Sequence, residues 1–205
     1  MKQYNVGIIG ASGMVGQRFI TILKDHPWFK IGALAASARS AGKSYGEAVE
    51  GRWMMKEPLP ADIAAMTVLD ASADAKKIAE SVDFVFCAVD MKKDEVRVFE
   101  EMYARLECPV MSNNSAHRAT PDVPMIVPEI NDHHAAVIET QRKRLGTKRG
   151  FIAVKSNCSI QSYVPAIHPL LDLGVSRVLA CTYQAISGAG KNFETRPEMV
   201  DNVIP

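Results

Sequence analysis

The segment Gly7-Ile8-Ile9-Gly10-Ala11-Ser12-Gly13-Met14-Val15-Gly16 constrains this 205-residue chain more than any other. It places Gly10-x-x-Gly13-x-x-Gly16 directly after a short apolar strand, Val6 to Ile9. A stretch from Met14 to Lys24 follows at once, with Val15, Phe19, Ile22 and Leu23 at helical spacing. A strand that turns through glycines into a helix is the opening of a βαβ unit. Glycines are needed where the backbone turns tightly and where a pyrophosphate must approach main-chain N–H groups at a helix N-terminus. Gly10, Ser12, Gly13, Met14 and Val15 are therefore candidate cofactor-binding residues. A glycine-tight turn that binds nothing is the plain alternative, and the strand-turn-helix context argues against it.

The alternation continues. Strand-like runs at Ile31 to Ala36, Met66 to Leu69, Phe84 to Val89 and Pro109 to Met111 are separated by helical segments at Asp74 to Glu80 and Asp94 to Leu106. In the last of these, Val96, Phe99, Met102, Tyr103 and Leu106 fall on one side. Strands separated by helices predict a Rossmann-type α/β fold, a parallel sheet with helices on both faces. Residues 37–60 read as a long polar loop. The pattern changes near residue 150. A strand from Phe151 to Val154 leads into a helical stretch reaching Leu173, with Pro165 and Pro169 expected to kink or shorten it and Gly174 to stop it. Val175 to Ile186 then reads as a long strand. The expected organisation is a dinucleotide-binding domain over 1–150, followed over 151–205 by the truncated start of an α+β catalytic and dimerisation domain.

Bulk composition excludes some partners. With 24 basic and 23 acidic side chains the net charge is +1, so neither nucleic acid nor an anionic membrane surface is the expected target. The four cysteines show no CxxC pair and no metal-ligand spacing. Cys87 and Cys181 lie in apolar runs where packing explains them. Thiols without a disulfide framework suit a reducing cytoplasm, and no signal peptide or apolar run of transmembrane length is visible. No metal is expected.

The end of the second strand selects the cofactor. An NAD site usually places a carboxylate there for the ribose hydroxyls. Here the chain reads Ser37-Ala38-Arg39-Ser40. Arg39 can pair with a 2′-phosphate while Ser37 and Ser40 donate to it, which predicts NADP; a solvated loop arginine is the alternative.

Cys158 is the candidate nucleophile. The strand ending at Val154 leads through Lys155-Ser156-Asn157 to this thiol just where a helix can begin. Unpaired N–H groups and the positive end of the helix dipole gather at such a junction, and both favour the reactive thiolate over the thiol. Most lone cysteines are small buried hydrophobes, so position alone does not decide the matter. A second polar loop, Ser112-Asn113-Asn114-Ser115-Ala116-His117-Arg118, follows a strand at the expected carboxyl edge of the sheet and offers donors for an anion. Self-capping of that loop is the alternative. None of the five histidines is an evident base for Cys158. His168 lies nearly three turns beyond the thiol, and His133 and His134 begin a helix on which neighbours diverge, so a shared metal is not expected.

Four segments taken in order carry a family resemblance: GASGMVG from Gly10, SARSAG from Ser37, SNCS around Cys158 and YQAISGAG from Tyr183. Together they resemble aspartate-β-semialdehyde dehydrogenases, in particular the archaeal and fungal-type branch, along the whole chain. The resemblance implies NADPH-dependent reduction of L-4-aspartyl phosphate through a thioester on Cys158, a step toward lysine, threonine and methionine. It further implies that Gln184 orients the substrate, that Arg118 binds its phosphate with Asn113 or Asn114 assisting, and that Ser187, Gly188 and Gly190 close over the cofactor. Members of the family continue past position 205, and their acid-base histidine and carboxylate-binding arginine lie there. A fragment, inactive alone and forming a homodimer or homotetramer only at full length, is the resulting expectation. Malonyl-CoA reductase is an alternative from the same branch. N-acetyl-γ-glutamyl-phosphate reductase is another, disfavoured because Asn157 stands where that family has a proline and glycine before its cysteine. A non-catalytic NADP-binding module is the alternative of a different class.

Overall fold

The computed structural model describes residues 2–189 and 191–203. The chain forms two compact units, Met1–Ser156 and Asn157–Pro205.

In the first unit, strands β1 (Tyr4–Ile9), β2 (Phe29–Ala36), β3 (Val68–Asp70), β4 (Phe84–Cys87), β5 (Val110–Ser112), β6 (Met125–Ile126) and β7 (Ile152–Lys155) build one sheet. Their order is β3-β2-β1-β4-β5-β7-β6, and each neighbouring pair is parallel. Between them run α1 (Met14–Leu23), α2 (Tyr45–Ala48), α3 (Ala61–Ala64), α4 (Ala75–Ser81), α5 (Lys93–Arg105), α6 (Pro128–Asn131) and α7 (Ile138–Leu145).

The apolar runs are continuous because both faces of the sheet are covered. Successive residues of a strand point to opposite faces. Val6 and Ile8 join Leu34, Ala36 and Ile20 in one buried cluster. Ile9, Ala33, Ala35, Val85 and Cys87 join Ile78, Phe99, Tyr103 and Leu145 in the other. The sheet is thus a wall between two cores. β1→α1→β2 leads to one side of β1, and the later strands return to its other side beside β4. A crevice at the reversal, beyond the carboxyl ends of β1 and β4, is where open α/β sheets bind ligands.

Three expectations change. Residues 37–60 are not simply loop. Ser44 caps α2, accepting from the Glu47 N–H at 3.3 Å while the Glu47 carboxylate accepts from the Ser44 N–H at 2.8 Å. The first compact unit runs through Ser156, because β7 is hydrogen-bonded into the sheet between β5 and β6. In the second unit, α8 (Cys158–Ile167) contains Pro165 and gives way to a 3-10 turn, His168–Leu173, ended by Gly174 at φ 78°. The run 175–185 forms no strand among the described residues. A strand needs a ladder partner for its N–H and C=O groups, and none pairs with it here. Its side chains are exposed, Leu179 to 92% and Cys181 with it, so the packing role expected of Cys181 is not observed.

Candidate functional site

The glycine loop turns at the carboxyl end of β1. Gly10 has φ +84°, and a Cβ there would stand 2.5 Å from the Ala88 carbonyl beyond β4. A Cβ on Gly16 would stand 2.3 Å from the Gly10 carbonyl. Both positions require glycine, since no side-chain rotation relieves a clash with backbone. Gly13 is different. Its backbone is ordinary (φ −79°, ψ 164°), and an added Cβ would meet only the Gly10 carbonyl at 3.4 Å. Gly13 caps α1 without a side-chain hydrogen bond, so the open helix start is its contribution. The N–H groups of Met14, Val15 and Gly16 lie in the first helical turn and have no intrahelical acceptor. A cradle cleared of Cβ atoms and edged with N–H donors fits a dinucleotide pyrophosphate.

At the end of β2, Ser37 and Arg39 are exposed, and Arg39 makes no ion pair among the described residues. Ser40 is buried, with its N–H on the Ser37 carbonyl at 2.9 Å. The burial of Ser40 leaves Ser37 and Arg39 as the two polar side chains of this set open to solvent.

Beyond β5, the Asn113 N–H donates to the Cys87 carbonyl at 2.8 Å, tying the polar loop to the end of β4. Below it lies a carboxylate that sequence reasoning passed over. Glu100 on α5 is fully buried, and its Oε1 accepts from Ser112 Oγ at 2.6 Å and from Asn114 Nδ2 at 3.0 Å. Burial, and then the adjacent Glu100, push the Cys87 thiol well above its ordinary range. Asn114 is thus turned inward. Asn113, whose side chain makes no hydrogen bond among the described residues, is the better placed of the two amides to meet a ligand. Arg118 donates from Nε to the Lys155 carbonyl at 3.2 Å and from an Nη to the Ser156 carbonyl at 3.3 Å. Its guanidinium therefore stands at the carboxyl end of β7.

In the second unit, Asn157 caps α8 by accepting from the Ser159 N–H at 2.9 Å, and Cys158 is the first helical residue. The thiol is exposed, and Gln184 Nε2 donates to its sulfur at 3.5 Å. Both border a groove of about 700 Å³, with Ser162, Tyr183, Ser187 and Gly188 on its walls. The pairing of Cys158 with Gln184 joins two of the expected site residues. Gly190 lies outside the described residues.

Residues 5–138, more than half of the chain, match the family described as semialdehyde dehydrogenase, NAD binding domain. The chain belongs to the semialdehyde dehydrogenase family. An aspartate-semialdehyde dehydrogenase of Archaeoglobus fulgidus is 42% identical over 203 residues, which are 99% of this chain and 57% of that protein. The crystal structure of aspartate semialdehyde dehydrogenase with NADP from Candida albicans superposes with a TM-score of 0.72 at 36% identity, covering 84% of this chain and 48% of that one. A malonyl CoA reductase (NADP) of Metallosphaera sedula is 36% identical over all of this chain and 55% of its own length. The chain spans about half the length of these relatives.

Within this chain two of the histidines take structural places. His117 is buried, with Nδ1 3.1 Å from Thr120 Oγ1, and His134 Nδ1 is 3.2 Å from the Met125 carbonyl. None hydrogen-bonds Cys158 among the described residues, and no group of three or more metal-ligating side chains is found there. Glu100 had a legible signal. It follows Val96 by four residues and precedes Tyr103 by three, so a carboxylate stands on the apolar stripe of α5. Ser44 and Glu47 carried another, the S-x-x-E spacing of a capping box.

Proposed function

We propose that this chain supplies the cofactor-binding unit and the nucleophile of an NADP-dependent enzyme that reductively dephosphorylates L-4-aspartyl phosphate to aspartate semialdehyde. The observation that carries the reading is an exposed thiol at the first residue of a helix with a side-chain amide on its sulfur. In the first step Cys158 Sγ attacks the acyl carbon. A C–S bond forms, the C–O bond to phosphorus breaks, and inorganic phosphate departs, leaving a thioester. Gln184, already on the sulfur, orients the acyl group. Arg118 and Asn113 hold the phosphate, with Asn114 positioned beneath. NADPH, when bound, supplies the hydride that takes the thioester to the aldehyde oxidation level. The C–S electron pair then returns to sulfur and the aldehyde leaves.

Gly10, Ser12, Gly13, Met14 and Val15 bind the pyrophosphate in this reading, Ser37 and Arg39 the 2′-phosphate, and Ser187 with Gly188 and Gly190 the nicotinamide end. In this reading the first compact unit serves the pyrophosphate, the 2′-phosphate and the substrate phosphate, and the second carries the nucleophile and the residues for the nicotinamide end. Complete turnover belongs to a longer protein, a cytoplasmic homodimer or homotetramer that adds an acid-base group. The 205-residue chain alone has little or no dehydrogenase activity. The Metallosphaera sedula relative favours one second reading, malonyl-CoA as acyl donor, with a coenzyme A thiolate leaving in place of phosphate.

Intact-mass measurement after exposure to freshly generated L-4-aspartyl phosphate tests the proposal. An aspartyl adduct on Cys158, absent from Cys158→Ala, is expected. A malonyl adduct from malonyl-CoA alone would transfer the reading to the second substrate. No adduct from either donor would leave only a cofactor-binding module.

A further inference from the structure

The carbonyl groups of the glycine loop are all engaged from within the protein. Gly10 O accepts from the Gly13 N–H at 3.1 Å, and Gly13 O accepts from the Gln17 N–H at 2.9 Å. The two between them are held by side chains. Tyr45 Oη donates to Ala11 O at 2.7 Å, and Gln17 Nε2 donates to Ser12 O at 3.1 Å. Tyr45 is fully buried and Gln17 is 1% exposed. Neither side chain belongs to the glycine pattern, and Tyr45 lies 34 residues beyond Ala11 in the chain.

A glycine-rich turn can rotate a peptide plane at little steric cost. A rotation at Ala11–Ser12 would put a carbonyl where the Ser12 N–H stands, and one at Ser12–Gly13 would break the Gly13 N–H bond to Gly10 O and turn the Ser12 carbonyl outward; either carbonyl repels a pyrophosphate. The side chains here oppose that rotation. Turning Ala11 O away from Tyr45 would leave a phenol hydroxyl unpaired in the core, where burial already holds its pKa well above the ordinary value. Turning Ser12 O away would strand one hydrogen of an amide that otherwise serves the Arg52 carbonyl at 2.9 Å and the Met54 N–H at 2.8 Å. Gln17 cannot swing to a new partner without losing both.

We infer that Tyr45 and Gln17 are positioning residues for cofactor binding: they pin the carbonyls of Ala11 and Ser12 inward so that the loop presents N–H groups to a pyrophosphate before any ligand arrives. Neither touches the cofactor. The inference rests on the dinucleotide reading of the loop and adds to it the side chains that hold the loop ready.

Tyr45→Phe removes one hydroxyl and keeps the ring packed edge-on to Trp53, whose centroid lies 6.5 Å away. Gln17→Met is the second variant. Affinities of this chain for NADPH and for 2′-AMP, which lacks the pyrophosphate, are measured by calorimetry, with circular dichroism for folding. Tyr45→Phe is expected to bind NADPH about tenfold more weakly. Its affinity for 2′-AMP should stay within twofold of the parent's, and Gln17→Met should show the same selective loss. Unchanged NADPH affinity in both variants overturns the inference. So does a proportional loss of both ligands, the mark of a general packing role. A parent chain that binds 2′-AMP but not NADPH, or neither, refutes the dinucleotide reading itself, and the inference with it.

Discussion

Gly16 packs its Cα so closely over Gly10 that a Cβ on Gly16 would stand 2.3 Å from the Gly10 carbonyl oxygen. The third glycine of the loop thus serves the fit of α1 against the turn, whereas Gly13 leaves room for a ligand. Gly16→Ala must push α1 away from the loop, at a cost of about 1–3 kcal/mol in stability. A lower melting temperature together with at least tenfold weaker NADPH binding is expected. Gly13→Ala should melt near the parent temperature and lose NADPH affinity alone. Melting curves and binding isotherms of the two variants separate these roles.

Arg39 is the exposed cation at the end of β2. Arg39→Ala should weaken NADPH binding by about 10–100-fold, the range of a hydrogen bond to a charged group, and leave NADH binding unaltered. Equal losses for the two cofactors would remove Arg39 from the 2′-phosphate site. Comparable affinity of the parent chain for both would remove the NADP preference.

The thiols divide by exposure. Cys158 and Cys181 are exposed, whereas Cys87 and Cys108 are buried, and burial raises the Cys108 pKa to about 12. Iodoacetamide at neutral pH should label the first two within minutes and the second pair only on unfolding. Peptide mapping over a time course checks this. Labelling of Cys87 in the native chain would contradict the closed core between β4 and α5.

Glu100 accepts two hydrogen bonds in the core and supports the Ser112–Asn114 loop. Glu100→Ala leaves Ser112 Oγ and Asn114 Nδ2 without their acceptor and opens a cavity, costing about 2–4 kcal/mol. Glu100→Gln keeps an acceptor and should cost less. Chemical denaturation gives both values.

Glu107 supplies a pH-dependent term. Its backbone is left-handed, with φ 62°. Its carboxylate accepts from the N–H groups of Lys148, Arg149 and Gly150, and these hold its pKa below the usual carboxylate value. A carboxyl group with a lowered folded-state pKa stabilises the fold above its unfolded value, about 4.3, and loses that contribution as pH falls through the folded value. Glu107→Gln should therefore melt a few degrees below the parent at pH 7. The gap should begin to narrow as pH falls below about 4.3 and close only below the lowered folded-state value, where the parent carboxyl is protonated in both states. A gap independent of pH would show that the carboxylate charge is not what binds the 147–150 turn.

Legibility followed the range of the forces involved. The strands and helices of the first unit could be read because apolar residues recur at the two structural periods, and β1, α1, α5 and β5 stand within a residue or two of expectation. Val175 to Ile186 misled for the same reason. Its composition is that of a strand, but a strand is completed only by a neighbour, and local sequence carries no information about that neighbour. The contact between Gln184 and Cys158, 26 residues apart, came from family resemblance and not from spacing. The inward turn of Asn114 was illegible for a related reason. It depends on Glu100, a residue from another element, arriving beneath the loop.

The sheet order also dictates a sequence of events during synthesis. β7 is made last and lies between β5 and β6. Until residue 155 has left the ribosome, β5 has a bare edge, β6 has no strand beside it, and Ile152 and Val154 are missing from the core they complete. A nascent chain ending near residue 150 would expose an unpaired strand edge able to recruit other chains. The first unit thus reaches its finished form only as residue 155 emerges, so the sheet closes just before Cys158 comes out.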